Sequence, residues 1–258
     1  MAYRVKVIPR LKQRIIKPTV SMKTPYGLQV IEECLTCPLV KDRIFCDLPR
    51  PVLAAMDAIS STATYPKDAI LFVEGQDPRG VFVLCNGRVK LSTTSADGKS
   101  IIARIAEAGE VVGLAGTLSG KPYELTAEAM EPLQANFIPR DAFLHFLKEH
   151  GEAAVRVAEI LSRIYHATLL EVRYLGFSSS TAEKLARFLL DLPAQRADGQ
   201  KYRATLTLTH KEIGETIGAS RETVTRLFAN FKREGLIEVH GSTLVVSDKS
   251  RLEKMVGG

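Results

Sequence analysis

Apolar residues recur along this chain in two different rhythms. From about Thr62 to Pro139 they come in short runs, such as Ala69–Val73, Val81–Leu84, Val89–Ser92 and Ile101–Ile105, separated by glycines. The pair Asp97-Gly98 between two of these runs marks a hairpin, because such a turn needs positive φ. Short strands with regular glycine turns predict a β-roll or barrel. After Pro139 the rhythm changes. The stretch Glu152–Leu175 contains neither Gly nor Pro, and Val157, Leu161, Ile164, Thr168, Val172 and Leu175 fall three or four residues apart. This predicts a long amphipathic helix with a coiled-coil-like seam. Alone it would expose that seam, so it packs on its own domain or on a second copy, and a symmetric homodimer is expected.

Gly176-Phe177-Ser178-Ser179-Ser180 reads as a hinge after that helix. Ser180-Thr181-Ala182-Glu183 matches a capping box and opens a further helix to about Leu192. Residues 193–204 read as a loop. Thr209-His210-Lys211-Glu212 is a second capping box, starting a short helix with Ile213 and Ile217 on one face. Gly218-Ala219-Ser220 then breaks the chain: Gly takes the left-handed conformation that ends a helix, and Ser220 caps the next. The next helix runs from Arg221 to about Arg233. Its Val224, Leu227, Phe228 and Phe231 follow the helical period and face a core. Arg221, Glu222, Thr225 and Arg226 share the N-terminal part of the other face, the part of a recognition helix that reaches base edges. Arg donates two bonds to guanine and Glu accepts from the cytosine amino group, while Lys232 and Arg233 suit phosphates. The run from Leu236 to Val246 reads as strand, turn, strand, the wing of a winged helix. The fold class is therefore α+β: an N-terminal β-roll, a long helix and a C-terminal winged helix-turn-helix. Residues 1–24, 25–150, 151–177 and 178–258 form the expected divisions.

Charge qualifies this picture. The net charge of +6 invites a nucleic-acid partner. Yet residues 1–24 carry seven basic residues and no acid, residues 25–150 hold 12 basic and 16 acidic, and residues 201–258 hold 10 basic and 7 acidic. The basic balance comes mainly from the tail, which reads as a disordered arm or as an over-extended start with Met22 the true first residue. The case for double-stranded DNA rests on the helix-turn-helix itself. No run is long and apolar enough to span a bilayer and no secretory signal is visible, so a cytoplasmic protein without a membrane partner is expected. A phosphate-binding Gly loop, Gly-x-Ser-x-Gly and His-Glu-x-x-His are all absent, and the five histidines have no ligand spacing. The chain reads as no enzyme.

The Gly-punctuated roll with Leu84-Cys85-Asn86-Gly87-Arg88-Val89, the long helix, the hinge and the run Ser-Arg-Glu-Thr-Val-x-Arg from Ser220 to Arg226 together resemble the Crp/Fnr superfamily of transcription regulators. The resemblance covers almost all of the chain after residue 25. It implies a cyclic-nucleotide-binding-like jelly roll, a dimer, base reading by Arg221, Glu222 and Arg226, a TGTGA-like half-site in an inverted repeat, and RNA polymerase as a partner. Thr225 stands where receptor proteins often have Gly, and so shifts preference at one base. A signalling subunit of the same roll without DNA contact is the alternative, and the winged helix argues against it.

The resemblance also frames the effector. Members that bind cyclic AMP use a Gly-Glu pair for the ribose and an Arg-Ser pair for the phosphate. Here the aligned residues are Gly113-Leu114 and Tyr123-Glu124, so cyclic AMP is disfavoured. Oxygen-sensing members bind an iron–sulfur cluster through three clustered N-terminal cysteines and a later one. Cys34-x-x-Cys37, Cys46 and Cys85 offer four thiolates, the number a [4Fe–4S] cluster needs. The gap from Cys37 to Cys46 is wider than usual. The family's fourth cysteine would align near Asn136, so Cys85 serves only if the N-terminal segment folds back over it. A four-thiolate zinc site, a thiol redox switch, and buried cysteines with no cofactor stand beside the cluster.

Overall fold

The computed structural model describes residues 25–28, 30, 31, 33–37, 45–177, 180–198 and 201–256. The basic tail and part of the expected hinge, Ser178 and Ser179, lie outside the described residues. The elements in chain order are α1 (Arg50–Ala58), β1 (Ser61–Tyr65), β2 (Ile70–Phe72), β3 (Gly80–Asn86), β4 (Arg88–Thr94), β5 (Ser100–Glu107), β6 (Val111–Val112), α2 (Leu114–Ser119), β7 (Thr126–Ala129), β8 (Leu133–Pro139), α3 (Arg140–Glu149) and α4 (Gly151–Phe177). The C-terminal part adds α5 (Thr181–Asp191), β9 (Ala194–Asp198), β10 (Lys201–Thr205), α6 (His210–Ile217), α7 (Arg221–Arg233), β11 (Ile237–His240), β12 (Thr243–Val246) and α8 (Lys249–Val256).

Two antiparallel four-stranded sheets, ordered β1-β8-β3-β6 and β2-β7-β4-β5, make the roll. Each run of apolar residues read from the sequence overlaps one of these strands, although β2 is shorter than the run Ala69–Val73. Between the sheets sits a core of Phe72, Phe82, Leu84, Val89, Leu91 and Leu133 with their neighbours. Strand side chains alternate between faces, so Val81 and Val83 of β3 point the other way, into a second core with Met56 of α1, Phe143 of α3, and Val157 and Ile160 of α4. Asp97-Gly98 forms the tip joining β4 to β5, with Gly98 at φ 79° and its amide donating to Ser95 O at 2.9 Å.

The long helix extends one residue further at its start and two at its end than the sequence pattern predicts, so Gly176 and Phe177 are helical. The predicted seam divides. Val157, Leu161 and Ile164 pack with the roll, whereas Thr168 and Val172 are exposed on the C-terminal half, Val172 at 60%, beside the exposed Tyr165 and Leu169.

The expectation of a loop over residues 193–204 is corrected. β9 and β10 form an antiparallel pair there and continue through β12 to β11 in a third sheet. The polar run of β9 hides the strand, because its pairing is through backbone to β10. Tyr202 and Ala204 of β10 carry the period-two signal and are buried, and the Tyr202 hydroxyl donates to the Leu189 carbonyl. This sheet shares a third core with α5, α6, α7 and α8, in which Leu185, Leu189, Ile213, Leu236 and Leu244 are fully buried.

Because the cores are separate, damage to one should stay local. Leu244→Ala is expected to destabilise the C-terminal domain by about 2–5 kcal/mol through the lost transfer energy and the cavity it leaves. Scanning calorimetry should show that domain's transition lowered and the roll's unmoved.

Candidate nucleic-acid interface and cysteine cavity

The turn between α6 and α7 is built by local chemistry. Thr209 and Glu212 form a complete capping box: the Glu212 amide donates to Thr209 Oγ1 at 3.2 Å and the Thr209 amide to Glu212 Oε2 at 2.7 Å. Gly218 ends α6 at φ 69°. Gly214 is needed for closeness, because a Cβ there would lie 2.5 Å from the Ala219 carbonyl oxygen. Ser220 then caps α7, its Oγ accepting from the Thr223 amide at 3.2 Å. Among the residues predicted to meet DNA, Ser220 thus has its side chain engaged in the helix start.

Val224, Phe228 and Phe231 are buried while Arg221, Glu222, Thr225 and Arg226 are exposed. At helical spacing those four form one face at the N-terminal end of α7. Among the described residues neither Arg221 nor Arg226 is held in an ion pair, which leaves both guanidinium forks available to a ligand. The Glu222 carboxyl is held below its usual range by its own backbone amide, then by the Ser220 hydroxyl. It is therefore ionised and an acceptor at neutral pH. Lys232 and Arg233 are exposed further along the helix.

Sequence reading missed one member of this surface. His210 was one of five histidines without ligand spacing, yet its Nδ1 lies 2.9 Å from Thr225 Oγ1 and its ring stacks on Phe228 with centroids 4.7 Å apart. Its pKa is lowered by burial, then by the charges of Lys232 and Arg221. The only signal was its place next to the helix cap, facing the turn.

The second site lies on the roll. Cys34, Cys37, Cys46 and Cys85 line one small cavity, together with Ile31, Val83 and Asn136. The N-terminal segment does fold back over β3. Gln134 holds it there: the Ile31 amide donates to Gln134 Oε1 at 2.8 Å, and Gln134 Nε2 donates back to the Ile31 carbonyl at 2.6 Å. Cys34–Thr36 forms one 3-10 turn that brings Cys37 beside Cys34. Cys85 is not in a turn. It lies in β3 at a register shift between Leu84 and Asn86. Asn136 faces Val83 across the β3–β8 pair and donates from Nδ2 to Cys34 Sγ at 3.3 Å. The fourth cysteine is thus one strand over from the position the resemblance implies, on the same cavity.

Burial pushes the Cys34 thiol up, followed by the Asp57 carboxylate and then by Cys85 and Cys46. A thiol held in this way resists ionisation unless a cation joins it. Among the described residues, no three His, Cys, Asp or Glu side chains converge closely enough to hold a single metal ion. Four thiols lining one cavity are the donor set that an iron–sulfur group takes, and a zinc site uses the same ligand type.

The residues aligned with nucleotide-binding positions do something else. Tyr123 is buried, stacks on Phe72 with centroids 4.1 Å apart, and donates to the Gly80 carbonyl at 2.6 Å while accepting from the Arg79 and Gly80 amides. Leu114 is buried and Glu124 exposed.

Comparison with known proteins follows the same division. The family model described as Crp-like helix-turn-helix domain matches residues 183–255, and that described as cyclic nucleotide-binding domain matches residues 62–150. The transcriptional activator protein anr of Pseudomonas aeruginosa is 30% identical over 199 residues, covering 74% of this chain and 79% of that protein. The CRP-like cAMP-activated global transcriptional regulator of Mycobacterium tuberculosis is 26% identical over 219 residues, covering 84% and 97%. Among solved structures, a CooA mutant from Carboxydothermus hydrogenoformans aligns at TM-score 0.69 and 21% identity over 85% of this chain and 95% of that one. FixK2 from Bradyrhizobium japonicum aligns at 0.64 and 22% over 76% and 97%.

The tight approach at Gly214 gives a direct test of the turn. Gly214→Ala should lower the stability of the C-terminal domain by about 1–3 kcal/mol, because the contact is with backbone and cannot rotate away. A melting curve followed by circular dichroism measures it.

Proposed function

The chain belongs to the Crp/Fnr family of transcription regulators, with a helix-turn-helix DNA-binding domain, and from that premise we propose that it reads an inverted repeat as a homodimer under the control of its four cysteines. The observation that carries the DNA reading is the exposed face of α7, where Arg221, Glu222, Thr225 and Arg226 stand together at the helix start with neither arginine in an ion pair among the described residues. Arg221 and Arg226 would donate to guanine edges and Glu222 would accept from a cytosine amino group, over a TGTGA-like half-site. Ser220 supports them as the cap of α7. RNA polymerase is the further partner that family membership suggests.

Dimerisation is supported by α4. Tyr165, Leu169 and Val172, four and three residues apart, expose an apolar stripe on the half of the helix that leaves the roll, and a second copy of the same helix would cover it. No helix among the described residues is long and apolar enough to cross a membrane, and a cytoplasmic site of action suits a DNA reader.

The control site is the cysteine cavity. When bound, a [4Fe–4S] cluster supplies there an oxidisable centre that neutralises the thiolates. Cys34, Cys37, Cys46 and Cys85 would hold it, and the Asn136 amide would donate to the Cys34 sulfur. Cys46 shares its core with Met56, Phe143, Val157 and Ile160. A change in how the segment sits on β3 therefore bears on the start of α4, whose far end leads through Gly176–Ser180 to the DNA-binding domains. The two dimer geometries are then populations that the cysteine site biases. Cyclic AMP has no role in this reading, since Tyr123 occupies the core where the resemblance would put the phosphate-binding pair.

Two measurements test these readings. Arg226→Ala should weaken binding to a palindromic TGTGA duplex by about 1–3 kcal/mol in fluorescence anisotropy, with little change on random DNA; equal loss on both would refute base reading by this residue. Protein purified without oxygen should be coloured and hold about four irons per chain, and Cys85→Ser should lose the iron while its helix-turn-helix still melts normally. One zinc per chain without colour would favour the zinc site, and a metal-free protein with full DNA affinity would remove the cluster.

A further inference from the structure

We infer that Thr225 meets the base edges with its γ-methyl and not its hydroxyl, and that His210 is the positioning residue that enforces this, so that the pair selects a thymine methyl in each half-site. The inference rests on α7 being the DNA-reading helix and adds what one of its positions reads.

A threonine hydroxyl has one hydrogen and accepts through its lone pairs. The Thr225 hydroxyl donates to the Arg221 carbonyl one turn back, at 2.9 Å. With that hydrogen spent, the 2.9 Å contact to His210 Nδ1 requires the histidine to donate, and its ring nitrogen Nδ1 carries the hydrogen. His210 cannot swing away freely, because its ring is stacked against Phe228 at an interplanar angle of 29° and Phe228 is buried. The oxygen of Thr225 is thus turned to the helix backbone and to α6. What remains on the exposed side of this residue is its methyl group. An apolar group on a recognition helix pairs with the 5-methyl of thymine in the major groove, whereas a free hydroxyl bonds to either kind of base edge. In this surface His210 decides between those two behaviours without being among the four residues that face outward.

The test uses the full-length protein and the highest-affinity duplex it selects from a randomised library. Each thymine of both half-sites is replaced in turn by deoxyuridine, which keeps base pairing and removes only the methyl. At one symmetric position the affinity should fall about fourfold, the effect of one methyl leaving an apolar contact. Thr225→Val keeps the methyl and should keep this ratio. Thr225→Ser keeps the hydroxyl and should bring it to one. His210→Ala should also bring the ratio toward one, whereas a residue that only touched phosphate or supported the fold would weaken both duplexes alike and leave the ratio unmoved. Equal binding of every thymine and uracil duplex overturns the inference while leaving DNA reading intact, as does a Thr225→Ser protein that still discriminates or a selected half-site with no thymine. Failure to select any sequence overturns the DNA reading of α7, and the inference with it.

Discussion

Strand β3 has to be covered on both faces, and much of the N-terminal half is arranged to do so. Its seven residues include six that are buried. Phe82 and Leu84 close the interior of the roll, which a second sheet covers. Val81, Val83 and Cys85 point outward, where an open sheet would face water. Burial of such side chains is worth about 1.5–3 kcal/mol each relative to exposure, so the outer face needs a lid. It is made of α1, α3, the start of α4 and the cysteine-bearing segment. The same requirement therefore seats the long helix and brings three cysteines of the segment to the fourth, in β3.

Two buried amides give that lid its register. Gln134 and Asn136 on β8 are almost fully buried, and a buried amide without partners costs about 1–3 kcal/mol. Gln134 satisfies both ends of its amide on the Ile31 backbone. Asn136 accepts from the Thr62 hydroxyl at 2.9 Å and donates to the Cys34 sulfur. Apolar contact alone would let the segment slide. These directional bonds fix Ile31 and Cys34 at one place, so the cysteine cavity inherits its shape from residues about 100 positions away in the chain.

What could be read in advance was what is encoded locally. The caps at Ser180, Thr209 and Ser220, the Gly218 break, the strand runs and the two faces of α7 are each specified within a few residues, and the structure has them all. The strands β9 and β10 were not legible, because the polar side chains of β9 give no alternation and its pairing belongs to the backbone. The meeting of Cys85 with the other three cysteines depends on the lid over β3, a tertiary fact with no local mark. His210 was hidden for a similar reason. Its neighbours in space are on the next helix, and a histidine beside a cap looks like any solvated one.

The arrangement of the DNA-binding domain on the roll is held by weaker forces than either domain's own core. α6 lies against β5, and Arg88, which pairs with Glu131, also donates from Nη1 to Thr207 Oγ1 at 2.8 Å. Exposed ion pairs and hydrogen bonds of this kind are worth about 0–1 kcal/mol. The three hydrophobic cores do not cross between the domains. A domain tethered by α4 and a thin polar contact can change orientation at little cost, so under the proposed control a modest free-energy difference at the cysteine cavity would be enough to bias it. Rigidity is concentrated within the α6–α7 pair, where Gly214, the Ser220 cap and the His210–Phe228 stack fix the reading face. The molecule thus combines a preorganised recognition surface with a loosely held carrier, the division that lets sequence reading and its control vary independently.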